Sequence, residues 1–504
     1  MTTFFDRLFR TYPNKTRRLL ELGIGSLTWM IILSPIWGSF FAPTLIAYFI
    51  LFFDMYWFYK SYMLVRTSYV ATHKILKAEK VDWFLKASAF ENVHRLHHFL
   101  IMPNYQESVE KLDETLDNLT KQTFPLKQIH VVLAMEVRET EGKKRAEMLI
   151  KKYQHTFGSM LATYHPDIPG EVKGKSSNEA YAGRVVYKKY FENPGSIGKN
   201  GTYDLNFATV SSVDADSMFD KQYFSYLSYK FLSDPLRYNK FWQSAVVFYN
   251  NIWKVPSPTR IISFFGSLGR TSLLVQGDRL ITQSTYSLSF KLLKDIDFWD
   301  TDVIPEDYRV FFKAFYTMKG NIWVEPIFLK TSMDAALSKG YIRSLKNKYH
   351  QERRWSWGVS DDPLFIKWWL TVPNVPFWRK TVILYHVLLD HFLWPVYWFI
   401  ITIAANIMPF INPQFSRTYL GYMLPSLAGF ILTLTLVAIF ALIYIDYKNR
   451  PENKHLPLIK KLMFPLEFLL MPLIGFFFSA LPALISHTQL IIGKRLEYKV
   501  TEKA

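Results

Sequence analysis

The chain contains no cysteine, which excludes disulfides, thiolate metal sites and cysteine nucleophiles. Charge is scarce: charged side chains make up 20% of the 504 residues, against 50% hydrophobic and 17% aromatic. Acids are the scarcer sign, 42 against 60 lysines and arginines, for a net charge of +18. So basic a chain can meet nucleic acid, anionic lipid or phosphate-bearing small molecules. It has no zinc-finger or other nucleic-acid signature, so nucleic acid is not expected as a partner. A cleaved signal is not expected either. The first apolar region runs from about Leu19 past Phe40, too long for a signal core, and no small-residue cleavage site follows it.

What the chain does have is apolar residues unevenly spread. Two long apolar stretches precede residue 66 and three follow residue 390, with an ordinary α/β pattern between. Runs near 20 residues are long enough to cross a hydrocarbon core about 30 Å thick. Arg7, Arg10, Lys15, Arg17 and Arg18 flank the first stretch; Arg66, Lys74, Lys77 and Lys80 follow the second. This charge bias puts the N-terminus and the middle domain in the cytosol. The expected organisation is a membrane helical hairpin over 1–66 (spans 19–41 and 43–65) and a cytosolic domain over 67–355. Interfacial amphipathic helices over 356–392, a transmembrane region over 393–493 and a cytosolic tail over 494–504 complete it. Spans are expected at 393–411 and 421–446. The stretch 462–493, interrupted by Pro465, Pro472 and Pro482, is long for one span and short for two. A Pro-broken hairpin or an interfacial helix would fit it. The expectation is a multi-pass integral membrane protein of a prokaryotic plasma membrane, with lipids as partners.

Within the middle domain, His98–Met102 and Ile129–Met135 are short apolar runs. Between them lies a helical pattern carrying Val109, Leu112, Leu116 and Leu119. Strand, helix and strand in about 35 residues predict a parallel sheet with its ligand at the strand C-terminal ends.

Three motifs carry the chemistry. Gln351-Glu352-Arg353-Arg354-Trp355 is a Q-x-x-R-W pattern, which a basic interfacial helix could also supply. Asp214 and Asp216 follow the apolar run Phe207–Val213, where paired carboxylates can hold a divalent cation on a diphosphate or simply make a turn. Glu306-Asp307 follows Pro305, where a carboxylate can act as general base or start a helix.

Taken in order, Asp-x-Asp, then Glu-Asp about 90 residues on, then Q-x-x-R-W about 45 further, resemble the family 2 glycosyltransferases. More narrowly they resemble the processive membrane synthases of cellulose, chitin and hyaluronan, over about residues 95–375. The resemblance implies an α/β domain of the GT-A type inserted between transmembrane helices. It implies Asn104, Tyr105, Glu107, Glu136, Lys175, Asp214, Gln351 and Arg354 as donor contacts. Asp216 would bind Mg²⁺ or Mn²⁺, Asp307 would be the general base, and Trp355 and Glu306 would meet the acceptor. Tyr498, Val500, Thr501 and Lys503 resemble the gating loop of bacterial cellulose synthases. The implied reaction is inverting transfer of a hexose from a UDP- or GDP-sugar to a growing, β-linked glycan. Single addition to a polyprenyl phosphate or glycolipid is the alternative, and an inactive scaffold or transporter the second. Pro305 replaces the family's usual Thr, and Glu136 its usual Asp.

Overall fold

The computed structural model describes residues 2–192, 203–451 and 457–496. Eight strands form one mixed sheet: β1 (His97–Pro103), β2 (Ile129–Glu136), β3 (Ser159–His165), β4 (Ala208–Ser212), β5 (Met218–Phe219), β6 (Lys240–Val247), β7 (Tyr286–Ser289) and β8 (Trp323–Ser332). Their order is β3-β2-β1-β4-β7-β6-β8-β5. The first four run parallel, as the strand–helix–strand pattern predicts, whereas β7 lies antiparallel between β4 and β6.

β1 and β2 are buried along nearly their whole length, as central parallel strands covered on both faces must be. Their side chains alternate between two cores. Phe99 and Ile101 face one with Phe290 and Phe311; Leu100 and Met102 face the other with Leu112 and Leu116. The helix Val109–Thr120 begins where Ser108 Oγ accepts the Lys111 N–H (3.1 Å), an N-cap that ends the loop leaving β1.

Three helices among the described residues are long and apolar enough to cross a membrane: Phe377–Ile411, Tyr419–Asn449 and Leu458–Ile492. All lie C-terminal to the sheet. The N-terminal region departs from the expected hairpin. Pro13–Ile32 and Ser34–Phe41 are bent by 66° at Leu33 and make at most one further span. Pro43–Ala78 is a single helix of 36 residues, no stretch of which is long and apolar enough to count as a span. Its apolar half runs alongside Tyr419–Asn449: Ile46 and Ile50 share a cluster with Leu424 and Ala428, and Asn449 Nδ2 meets Thr72 Oγ1 (2.6 Å) at the other end.

Two expectations near the C-terminus also change. Residues 377–392 continue into 393–411 as one helix, because the π turn Ile400–Ala404 adjusts the backbone after Pro395. The stretch 458–492 is likewise one helical run of 35 residues instead of a hairpin. Pro472 and Pro482 each sit in the first turn of a new helical segment, where a missing N–H costs little.

Candidate active site

The C-terminal ends of β1, β2 and β4 open onto a cleft. β1 delivers Asn104, Tyr105 and Glu107, β2 delivers Glu136, and the turn after β4 delivers Asp214. The first turns of two helices, Lys175–Tyr187 and Glu306–Thr317, add Lys175, Glu306 and Asp307. Gln351, Arg354 and Trp355 come from one face of the helix Tyr341–Ser356, since a spacing of three or four returns a helix to the same side. Every residue singled out from the sequence and described here therefore lines this cleft, with one exception.

The exception is Asp216. It is fully buried, and its Oδ2 accepts the backbone N–H of Asp334 (2.9 Å). Asp334 itself lines the cleft, with one oxygen on Lys111 (2.9 Å) and Oδ1 buried without a hydrogen-bond partner. Nothing in the sequence around Asp334 marks it; a register shared between distant strands brings it here. Tyr498, Val500, Thr501 and Lys503 lie outside the described residues.

Lys175 is the electrostatic centre. Its ammonium contacts Asp214 (2.8 Å) and Glu306 (2.8 Å), lies 3.8 Å from Glu179, and donates to the Ser284 carbonyl (2.9 Å). Burial alone would lower the pKa of this amine, but Asp214 and Glu306 outweigh it and hold it well above its ordinary value. Burial pushes the Glu306 carboxyl up to about 7, with Lys175 opposing and neighbouring Asp307 adding to the rise. Glu179, fully buried and bonded to Ser212, is pushed well above the carboxylate range by burial.

Asp307 is held by backbone. One oxygen accepts the Ser284 N–H (2.9 Å), the other the Tyr308 N–H (3.0 Å), and Thr282 bonds its carbonyl (2.6 Å). Ser284 adopts φ 54°, a left-handed conformation uncommon for a serine. That strained residue serves both sides of the site, its N–H on Asp307 and its carbonyl on Lys175. Sequence reasoning missed Ser284 because its role is in its backbone.

Trp355 stands where the cleft turns toward the membrane helices. Its ring lies 6.2 Å from that of Phe248, with Arg270 (5.1 Å) and Lys348 (4.8 Å) over it. Lys348 in turn bonds Gln351 (2.9 Å) and Glu352 (2.7 Å). At the opposite end Arg138 lies over Tyr105 (4.0 Å) and pairs with Glu136.

Residues 210–445 match the sequence model of the family described as Glycosyl transferase family group 2. The chain carries a family 2 glycosyltransferase domain. The match starts in β4 and covers just under half the chain, so it holds Asp214, Glu306, Asp307 and the Q-x-x-R-W helix, while Tyr105, Glu136 and Lys175 precede it. This glycosyltransferase matches no curated protein sequence. Among solved structures it resembles a mannosyltransferase, PcManGT from Pyrobaculum calidifontis, in complex with GDP-Man and Mn²⁺. Identity is 15% over 77% of this chain and 98% of that one, with a TM-score of 0.41. It also resembles S. aureus TarS 1–349 in complex with UDP-GlcNAc, at 14% identity over 68% and 91% of the two chains and a TM-score of 0.36. Likeness at this level leaves substrate and mechanism to the residues themselves. The cleft at the strand ends of the mixed sheet is lined both by the matched residues and by those that precede them.

Proposed function

We propose that the protein transfers a hexose, with inversion, from a nucleotide sugar to an acceptor hydroxyl at the cytosolic face of a membrane. The single observation that carries this reading is that one cleft joins Asp307, the Lys175 cluster and Trp355. The nucleotide end would lie by Tyr105 and Glu136, with Lys175 and Arg354 toward the diphosphate. The acceptor sugar would stack on Trp355, a flat ring suited to the apolar face of a pyranose.

In the step itself Asp307 takes the proton of the acceptor hydroxyl as its oxygen attacks the anomeric carbon. The bond from that carbon to the phosphate oxygen breaks, and its electron pair leaves with the nucleoside diphosphate. A single displacement turns an α-linked donor into a β-linked product. The two N–H groups on Asp307 fix its orientation, and Lys175 offsets charge on the departing diphosphate.

Asp214 and Asp334, the latter with an unpartnered buried oxygen, fit a divalent cation, Mg²⁺ or Mn²⁺, on the cleft wall. Asp216 would hold Asp334 from behind. Among the described residues no three acidic or histidine side chains form a metal cluster by themselves, so donor phosphate oxygens would complete the shell. When bound, such a cation would neutralise charge on the leaving diphosphate.

The order of the three motifs supports repeated addition to a growing β-linked glycan, made by a domain over about 67–355 on the cytosolic side. The test is a panel of labelled UDP- and GDP-sugars given to purified protein in detergent with Mg²⁺ or Mn²⁺, with product sized by gel. Turnover is expected for one donor and lost in Asp307→Asn. Undiminished turnover in that variant overturns the base assignment, and inertness to every donor overturns the reading as a whole.

A further inference from the structure

A second, open pocket shares Phe248 and Trp355 with the catalytic cleft. It runs from there to Trp57 on Pro43–Ala78, Trp394 on Phe377–Ile411 and Ser479 on Leu458–Ile492, so it links the site to the membrane helices. Tyr308, next to the proposed base, also borders it. An acceptor stacked on Trp355 would therefore extend into this space.

The lining carries four bases, Lys60, Arg270, Arg279 and Lys348, against two acids, Glu352 and Asp390. Three of the bases are matched: Lys348 to Glu352 (2.7 Å), Arg279 to Asp390 (2.8 Å) and Lys60 to Asp390 (3.5 Å). Arg270 is not. It forms no ion pair among the described residues, its Nη1 is buried without a hydrogen-bond partner, and its planar group lies over Phe248 (4.7 Å) and Trp355 (5.1 Å). Burial lowers its pKa, with Tyr308, Asp307, Glu352 and Asp214 opposing from beyond ion-pair range.

A guanidinium partly buried without a counter-charge is costly unless a ligand supplies one, and here its Nη1 is the buried, unpartnered atom. Its planar fork matches phosphate oxygens, which it can bind bidentately. The donor diphosphate is not that ligand, because Arg270 lines the second cavity and not the catalytic cleft. A neutral glycan would leave the charge unanswered. The far wall, with Trp57, Leu64, Ile262, Phe265 and Trp394, suits a hydrocarbon chain.

We propose that the acceptor that starts the glycan is a lipid-linked sugar phosphate: its sugar stacks on Trp355, the phosphate one ring behind sits on Arg270, and the lipid chain follows the second cavity. This rests on the acceptor end assigned to Trp355 and Asp307 above, and it adds the acceptor's chemical class. Transfer proceeds as already written, with the acceptor phosphate bonds untouched.

The test uses full-length protein in detergent with the donor found in the panel. The acceptors are a synthetic farnesyl-diphosphate-linked hexose, the farnesyl hexoside lacking phosphate, and a neutral β-linked tetrasaccharide. The phosphate-bearing acceptor is expected to have a kcat/KM about 100-fold higher than either. Arg270→Gln should bring that preference below about 5-fold, and Arg270→Lys should keep part of it. Native mass spectrometry of the same three compounds on wild type and both variants reads the preference without turnover. An inert enzyme that still binds the diphosphate compound through Arg270 refutes the catalytic reading and keeps only the lipid-phosphate site. Equal binding of all three compounds, or a preference that survives Arg270→Gln, overturns the proposal. Free hexose 1-phosphate competing as well as the farnesyl compound would overturn its lipid part.

Discussion

At the scale of single residues, the site is governed by one ammonium among carboxylates. Lys175 touches Asp214 and Glu306, and burial holds the Glu306 pKa at about 7. Below that value Glu306 carries its proton and the cleft is less negative; above it, ionisation adds a charge beside the donor diphosphate. The donor KM is therefore expected to rise as pH passes upward through about 7, and Glu306→Gln to flatten that rise, as a KM–pH series measures. Replacing Lys175 with Met leaves Asp214 and Glu306 without their shared cation. Donor affinity should fall about 10- to 100-fold, in line with the loss of a buried charge-assisted contact; titration calorimetry with the nucleoside diphosphate reads it.

At the scale of elements, helix starts and strand ends hold the site in place. Ser108 caps the helix that leaves β1, and Ser108→Ala is expected to cost about 1 kcal/mol, read as a lowered denaturant midpoint in detergent. The opposite ends of the strands hold a group of histidines, His98 and His130 buried and His97 half-buried. His97 Nδ1 and His130 Nε2 are 3.0 Å apart, His130 stacks on Phe99, and His98 bonds Thr209 and Ser228. Burial lowers His97 to about 4, His98 to about 3, and His130 well below its ordinary value. Below about pH 6.5 the unfolded chain takes up protons that the folded chain refuses, so stability falls with pH. Each histidine contributes up to about 1.4 kcal/mol per pH unit until its folded pKa is reached. Acid unfolding of His98→Asn, followed by circular dichroism, should show a shallower dependence between pH 6.5 and 4.

At the scale of the whole molecule, the glycosyltransferase domain and the membrane helices share one continuous interior. The apolar half of Pro43–Ala78 lies against Tyr419–Asn449, while Phe430, Val437 and Phe440 on the latter turn outward and stay largely exposed. So large an apolar surface calls for lipid or detergent. The protein is expected to stay in the membrane fraction after carbonate washing and to need detergent for extraction, as immunoblotting of the fractions checks. Chelation with EDTA should remove turnover, and added Mn²⁺ or Mg²⁺ should restore it, which the donor-panel assay measures.

The sequence by itself determined the elements whose signals are local. The apolar runs of β1 and β2 and the heptad-like leucines between them announced parallel strands at the start of the domain. The order Asp214, Glu306-Asp307, Gln351 to Trp355 marked residues that do meet in one cleft, because motifs at strand ends and helix starts face the same side of such a sheet. The tertiary structure decided what depends on distant partners. It sank Asp216 behind Asp334 and put the strained Ser284 between Asp307 and Lys175. It joined 377–411 and 458–492 into single helical runs, with Pro472 and Pro482 taken up in first turns of their segments. It left Arg270 without a counter-charge beside Trp355, a fact that periodicity cannot carry. Local propensity writes strands and caps into the chain; which charges end up buried together is settled only when segments hundreds of residues apart come into contact.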